Sequence, residues 1–150
     1  MEIDENRSGC VLWSGFRQPR LDGTDIRPRA EQQHSDNITT AQFLRAQYEW
    51  YAHAPLAERA GVPAPAIETI RRGETPSFDQ KDEALVYRVC TELFKTRRLS
   101  DATFNEAVAT LAEIGLTEVI AIIGYYTLIG NMLNAFQVPV PEGTASPFPE

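Results

Sequence analysis

The chain has few of the residues on which metal and redox sites depend. It contains two cysteines and two histidines among 150 residues. There is no Cys-x-x-Cys pair and no Cys/His spacing suited to zinc. A Ser/His/Asp signature and a phosphate-binding glycine loop are also missing. The sequence therefore predicts a protein that needs no metal or other cofactor and whose cysteines are free thiols in a reducing compartment.

The chain also lacks an excess of positive charge. It has 14 basic and 21 acidic residues, a net charge of −7, with no block of lysines and arginines. Such a chain has no electrostatic footprint for nucleic acid and little attraction to an anionic membrane. The first seven residues are polar and acidic, unlike a secretory signal. We therefore predict a cytoplasmic protein that binds neither nucleic acid nor membrane.

One long apolar stretch, residues 119–136, bears on the membrane prediction. At about 18 residues it reaches the lower limit for spanning a bilayer. It contains Asn131 and Asn134 and has no basic flank. A helix that is apolar all round is also typical of a buried central helix. We interpret the stretch as a core or subunit-interface helix.

Composition divides the chain into three parts. Residues 1–36 carry scattered glycines and prolines without a helical period, which predicts an irregular or partly disordered extension. Residues 37–138 carry helical periodicity, and Asp36 or Asn37 is suited to cap the first helix. Residues 139–150 are rich in proline, glycine and serine, and we expect a mobile tail.

The pattern within residues 37–138 predicts an all-α fold, a compact bundle of about five helices. The expected helices are 37–53, 65–72, 78–97, 101–114 and 118–136. Ser100 is suited to cap the fourth helix, and Gly115 to end it. The last helix is too apolar for the shorter helices to cover alone. This favours an oligomer in which a neighbouring subunit covers part of it.

The main candidate site lies near the predicted end of the first helix. On a continuous helix, Arg45, Glu49 and His53 form one stripe at spacings of four. A carboxylate beside an imidazole can orient it and transfer a proton near neutral pH. Tyr48 and Tyr51 could wall a pocket and bind a polar substrate. The same spacing also suits a solvated salt-bridge stripe beside an aromatic core face, and the spacing leaves both interpretations open.

Polar side chains also interrupt the most apolar helix. If Tyr125, Asn131 and Asn134 are buried, they need hydrogen-bond partners. They could satisfy contacts between helices or subunits. Alternatively, Tyr125 and Asn131 could point into a pocket that His53 faces, where they would bind substrate.

Three separated blocks resemble the carboxymuconolactone decarboxylase-like family, which has the alkylhydroperoxidase-like fold. The first block reads Tyr-Glu-Trp-Tyr-Ala-His-Ala-Pro-Leu-Ala over residues 48–57. The others lie within residues 92–104 and 124–135. The resemblance extends over residues 38–143 and implies helical subunits that assemble as homo-oligomers, either trimers or hexamers.

The resemblance also implies chemistry on a small-molecule substrate. One branch of the family decarboxylates 4-carboxymuconolactone without a cofactor. By that likeness, His53 would be the general acid/base and Glu49 its orienting partner. Arg45 or Tyr125 would hold a carboxylate or the developing oxyanion.

The other branch reduces peroxides with a Cys-x-x-Cys-x-x-x-His motif. When the motif's histidine is placed on His53, its two cysteines fall on Ala46 and Glu49, so this route lacks its thiols. The Gly/Pro-rich start also replaces a helix that is usual in the family. We therefore carry three hypotheses: a lyase, a hydroperoxidase-like or peroxiredoxin-like antioxidant protein, and a non-catalytic oligomeric scaffold.

Overall fold

The computed structural model describes residues 30–148, with side chains from residue 35 onward. Predictions for residues 1–29, including the polar start, the irregular extension and Cys10, lie outside the described residues. Within the described range the chain forms helices and no strands, which confirms the all-α prediction there. The helices are α1 (Ala30–Leu44), α2 (Gln47–Arg59), α3 (Ala64–Arg71), α4 (Lys81–Thr96) and α5 (Asp101–Ala135).

Helix α1 lies at the centre and packs against all four other helices. It begins at Ala30, before the start predicted at Asp36 or Asn37. Both of these residues lie inside the helix and are buried. The capping prediction is wrong because the local preference of Asp and Asn for helix ends is weak and packing on several sides overrides it.

The first predicted helix is in fact two helices. Helix α1 ends at Leu44, and Arg45 follows with a φ of 50°, in the left-handed region. Ala46 is extended, so α2 starts in a new direction. Arg45 therefore lies outside the helix that carries Glu49 and His53, and the predicted three-residue stripe does not form.

Helix α2 continues beyond His53, so of the two outcomes that Pro55 allows, an end of the helix or a short continuation over residues 56–60, the second is observed. Pro55 lies inside it, and the helix runs to Arg59. Proline removes the hydrogen bond to the carbonyl four residues earlier, here that of Tyr51. The helix nevertheless continues through this position.

Helix α5 contains the break that the sequence predicts, but at a different residue. Its backbone is non-helical at Ala112, with φ 58° and ψ 170°, and two helical segments meet there. Gly115, the predicted end, lies inside the second segment and is buried. Ser100 caps the first segment as predicted, since its side chain accepts a hydrogen bond from the Thr103 amide.

The apolar core consists of two clusters. The first joins α1, α2, α3 and the C-terminal segment, and the second lies mainly between α4 and α5. Helix α5 is long and apolar enough to cross a membrane, a test that the core helix of a soluble protein also passes. In the most apolar 18-residue stretch of α5, 33% of the helix is buried inside the chain.

The tail, predicted from its composition as residues 139–150, is described as far as residue 148. Phe148 is 1% exposed and belongs to the first core cluster. The chain after α5 therefore folds back onto the bundle, and burial of the Phe148 ring contributes to holding it there.

Candidate functional site

Helix α2 presents Glu49 and His53, one turn apart, towards α5. Gly130 of α5 lies against the Glu49 carboxyl group, where a Cβ atom would collide with Glu49 Oε2 and lie 2.7 Å from Leu44 Cδ1. One turn earlier in α5, the Tyr126 ring meets the His53 ring edge to face, with centroids 5.0 Å apart. The two helices thus run antiparallel where they touch.

The Glu49 carboxyl group is enclosed. The residue is 1% exposed, and neither carboxyl oxygen has a hydrogen-bond partner in the described part of the chain. Burial raises the pKa of Glu49 to about 8, because desolvation disfavours the charged form. The group is therefore mostly neutral at pH 7 and carries a proton. The hydrogen bond to His53 that the sequence suggested is not made by these oxygens.

The half-buried His53 ring is the first of three aromatic rings that contact one another in a row. Tyr126 contacts it, and Tyr125 meets the Tyr126 ring at a centroid distance of 5.2 Å. Sequence reasoning selected Tyr125, whereas the structure brings Tyr126 into direct contact with His53. Tyr126 and Gly130 are four residues apart, as are Glu49 and His53. This matched spacing is the signal that could have identified them.

The other residues predicted on α2 lie elsewhere. Tyr48 and Tyr51 are 37% and 38% exposed, with ring centroids 6.0 Å apart. Arg45 is exposed, and its guanidinium group lies over the Phe148 ring, 5.4 Å from the centroid. The structure therefore brings Glu49 and His53 together against α5 but places Arg45 against the tail.

The asparagines of α5 have different surroundings. Asn134 donates a hydrogen bond to the Leu44 carbonyl oxygen at 2.8 Å, which satisfies a carbonyl at the end of α1. The interpretation as a contact between helices is thus confirmed for Asn134. Asn131, the predicted substrate-binding residue, is exposed.

The described part of the chain forms pockets on either side of α2. The larger, about 370 Å³, lies between α2 and the tail, and Trp50, Tyr51 and Arg71 are among its lining residues. The smaller, about 220 Å³, lies between α2 and α3. Neither of these two pockets includes Glu49 or His53, so the larger concave surface of the pair is beside Tyr51 instead.

The described thiol is poorly suited to peroxide chemistry. Cys90 is fully buried, with its sulfur 3.8 Å from the Thr40 hydroxyl oxygen. Burial, together with the nearby Asp36, raises the pKa of the Cys90 thiol well above its usual value. A reactive cysteine needs a lowered pKa and access to solvent. Among the described residues, no group of three or more His, Cys, Asp or Glu side chains could hold a metal ion.

Comparison of the chain with protein-family models, with curated proteins and with solved structures gave no match. The functional argument therefore depends on the sequence resemblance and on the contact between α2 and α5. In that contact a neutral carboxyl group and an imidazole occupy successive turns of one helix.

Proposed function

We propose that this chain is a cofactor-independent lyase of the carboxymuconolactone decarboxylase type, acting on a small carboxylated lactone or a related acid. The observation that supports it most is the buried, neutral carboxyl group of Glu49, one turn from the half-buried imidazole of His53. Enzymes raise a glutamate pKa in this way when the group must hold a proton near neutral pH.

The reaction requires one proton at one carbon atom. The bond between the substrate carboxylate and its neighbouring carbon breaks, CO₂ leaves, and the electron pair stays on that carbon as an enolate. The imidazolium of His53 then donates its proton to the carbon. Neutral His53 then recovers a proton from solvent.

The substrate's oxygen atoms need donors near that proton. Tyr126 contacts His53 and Tyr125 contacts Tyr126, and the hydroxyl groups of both tyrosines are suited to hold a carboxylate or the developing oxyanion. We assign this role to them in preference to Arg45, which lies over Phe148. The exposed Tyr48, Tyr51 and Asn131 remain candidates for substrate binding where a second subunit covers them.

The direct test is turnover of 4-carboxymuconolactone and related carboxylated lactones, followed as loss of substrate and release of CO₂. We expect His53→Ala to lower kcat by at least about a hundredfold. Glu58→Gln is the matched control, since Glu58 is exposed on the same helix and has no assigned role, and we expect it to keep most of the activity. Unchanged turnover in a folded His53→Ala variant would remove this mechanism.

We also propose that the chain forms a homo-oligomer, a trimer or hexamer, through α5. Leu128, Met132 and Phe136 are 58%, 50% and 78% exposed, which is unusual for large apolar side chains at the end of one helix. The same surface supports the scaffold hypothesis, which the His53→Ala measurement separates from the lyase. A monomer in sedimentation velocity would contradict assembly.

A further inference from the structure

The C-terminal residues 146–148 bind to the bundle in the way that a peptide ligand binds a receptor. They lie on a surface formed by the turn between α1 and α2, by α2 itself and by α3. Side chains from these three parts contact the segment through hydrogen bonds, an aromatic contact and a cation–π contact. The receptor side and the ligand side are far apart in the sequence.

Two side chains bind the main chain of the segment. The side-chain amide of Gln47 donates to the carbonyl oxygen of Phe148 and accepts from its backbone N–H, the latter at 2.9 Å. Arg71 Nη1 donates to the Pro147 carbonyl oxygen at 2.8 Å. A paired amide contact of this kind recognises main-chain groups whatever the side chains are.

A separate slot recognises the aromatic ring. The Phe148 ring is 1% exposed, and it meets the Trp50 ring edge to face with centroids 5.3 Å apart. The Arg45 guanidinium group lies 5.4 Å from the centroid of the Phe148 ring. An aromatic side chain satisfies both contacts, whereas an aliphatic one satisfies neither. The slot thus adds side-chain selectivity to the backbone contacts of Gln47 and Arg71.

The segment is joined to α5 by a non-helical connection, and an open pocket lies beside the segment. Residues 138–148 contain no helix, and Gly143 has a φ of 82°, which favours glycine. The pocket of about 370 Å³ lies alongside residues 145–147 and is walled by Trp50 and Tyr51. The binding surface is therefore larger than the segment that occupies it.

We propose that this surface is a recognition site for peptide segments of other proteins that carry proline followed by phenylalanine. The chain's own residues 146–148 are its internal ligand. A tethered segment competes at an effective concentration of the order of millimolar. The internal ligand therefore keeps weak partners out, and a partner that also fills the adjoining pocket can displace it.

The experiment uses the full chain with Phe148→Ala, which empties the ring slot and keeps the receptor residues. The probe is the acetylated peptide amide Ala-Ser-Pro-Phe, titrated by calorimetry, and the control peptide has alanine in place of phenylalanine. We expect saturable binding of the probe and at least about tenfold weaker binding of the control. Gln47→Ala added to Phe148→Ala should weaken probe binding at least about tenfold. The unaltered chain should bind the probe at least about tenfold more weakly than Phe148→Ala.

Absence of probe binding to folded Phe148→Ala protein would overturn the proposal, as would equal binding of both peptides. If Phe148→Ala does not fold, hydrogen exchange of the unaltered chain tests the proposal instead. We expect the Phe148 amide to exchange through local release of the tail, with less protection than the amides of α2. Equal protection, by global unfolding only, would make the tail a fixed part of the core and would overturn the proposal.

Discussion

Raising the pH from 5 to 9 should destabilise this protein through Glu49, and Glu49→Gln should remove that effect. The pKa of Glu49 rises from an ordinary 4.5 to about 8 on folding, because the carboxyl group is buried without a hydrogen-bond partner in the described structure. The folded state therefore holds a proton that the unfolded chain has released. Below pH 4.5 the Glu49 carboxyl group is protonated in both the folded and the unfolded state, so its burial does not make the free energy of unfolding depend on pH. The cost of this burial then grows with pH and levels off above about 8.

The size of the effect follows from the shift. Between 4.5 and about 8, at about 1.4 kcal/mol for each pKa unit, the loss approaches roughly 5 kcal/mol. A natural domain is stable by only about 5–15 kcal/mol, so this loss is large. Local opening that admits water to the carboxylate would reduce this loss of stability, so roughly 5 kcal/mol is an upper bound. Asp36 on α1, whose pKa burial also raises, acts in the same direction. Its contribution cancels when the variant and the parent chain are compared.

The assay is urea denaturation followed by helical circular dichroism at several pH values. We expect the stability of Glu49→Gln relative to the parent chain to increase steadily from pH 5 to pH 8. Glu58→Gln, an exposed position on the same helix, is the control and should give a constant difference. Parallel stability curves for Glu49→Gln and the parent chain would refute the claim that Glu49 is buried as a neutral acid.

Two further predictions concern α5, both measured by the same denaturation assay. Gly130→Ala should destabilise the fold by about 1–3 kcal/mol, because the new methyl group collides with Glu49 and Leu44. Adding Glu49→Ala should recover part of that loss, and simple additivity of the two changes would contradict the contact. Ala112→Gly should stabilise the protein by about 1 kcal/mol, since only glycine readily adopts φ 58° and ψ 170°. Ala109→Gly, in the regular part of the helix, should instead destabilise by about 1 kcal/mol, and the same sign at both positions would argue against the break.

Much of the helical framework could be predicted from the sequence. Helices α3 and α4 lie within a few residues of their predicted ranges, because each carries an apolar stripe at helical spacing. The cap at Ser100 follows from one side chain and its own helix start, and it was predicted correctly. Such signals are local, and tertiary packing at these positions agrees with them.

The remaining features needed contacts between distant residues. Arg45 breaks the first predicted helix although nothing in its neighbours is a helix breaker, because α2 turns back there to pack against α1. The α2–α5 contact pairs Glu49 with Gly130 and His53 with Tyr126, and no spacing within α2 alone could show this.

The sequence by itself determined that the chain is helical and that a carboxyl group and an imidazole lie one helical turn apart, because both depend on spacing along one segment. Tertiary structure alone decided that Glu49 is neutral and that Phe148 is buried. Burial depends on which distant residues exclude water, and local spacing carries no information about that.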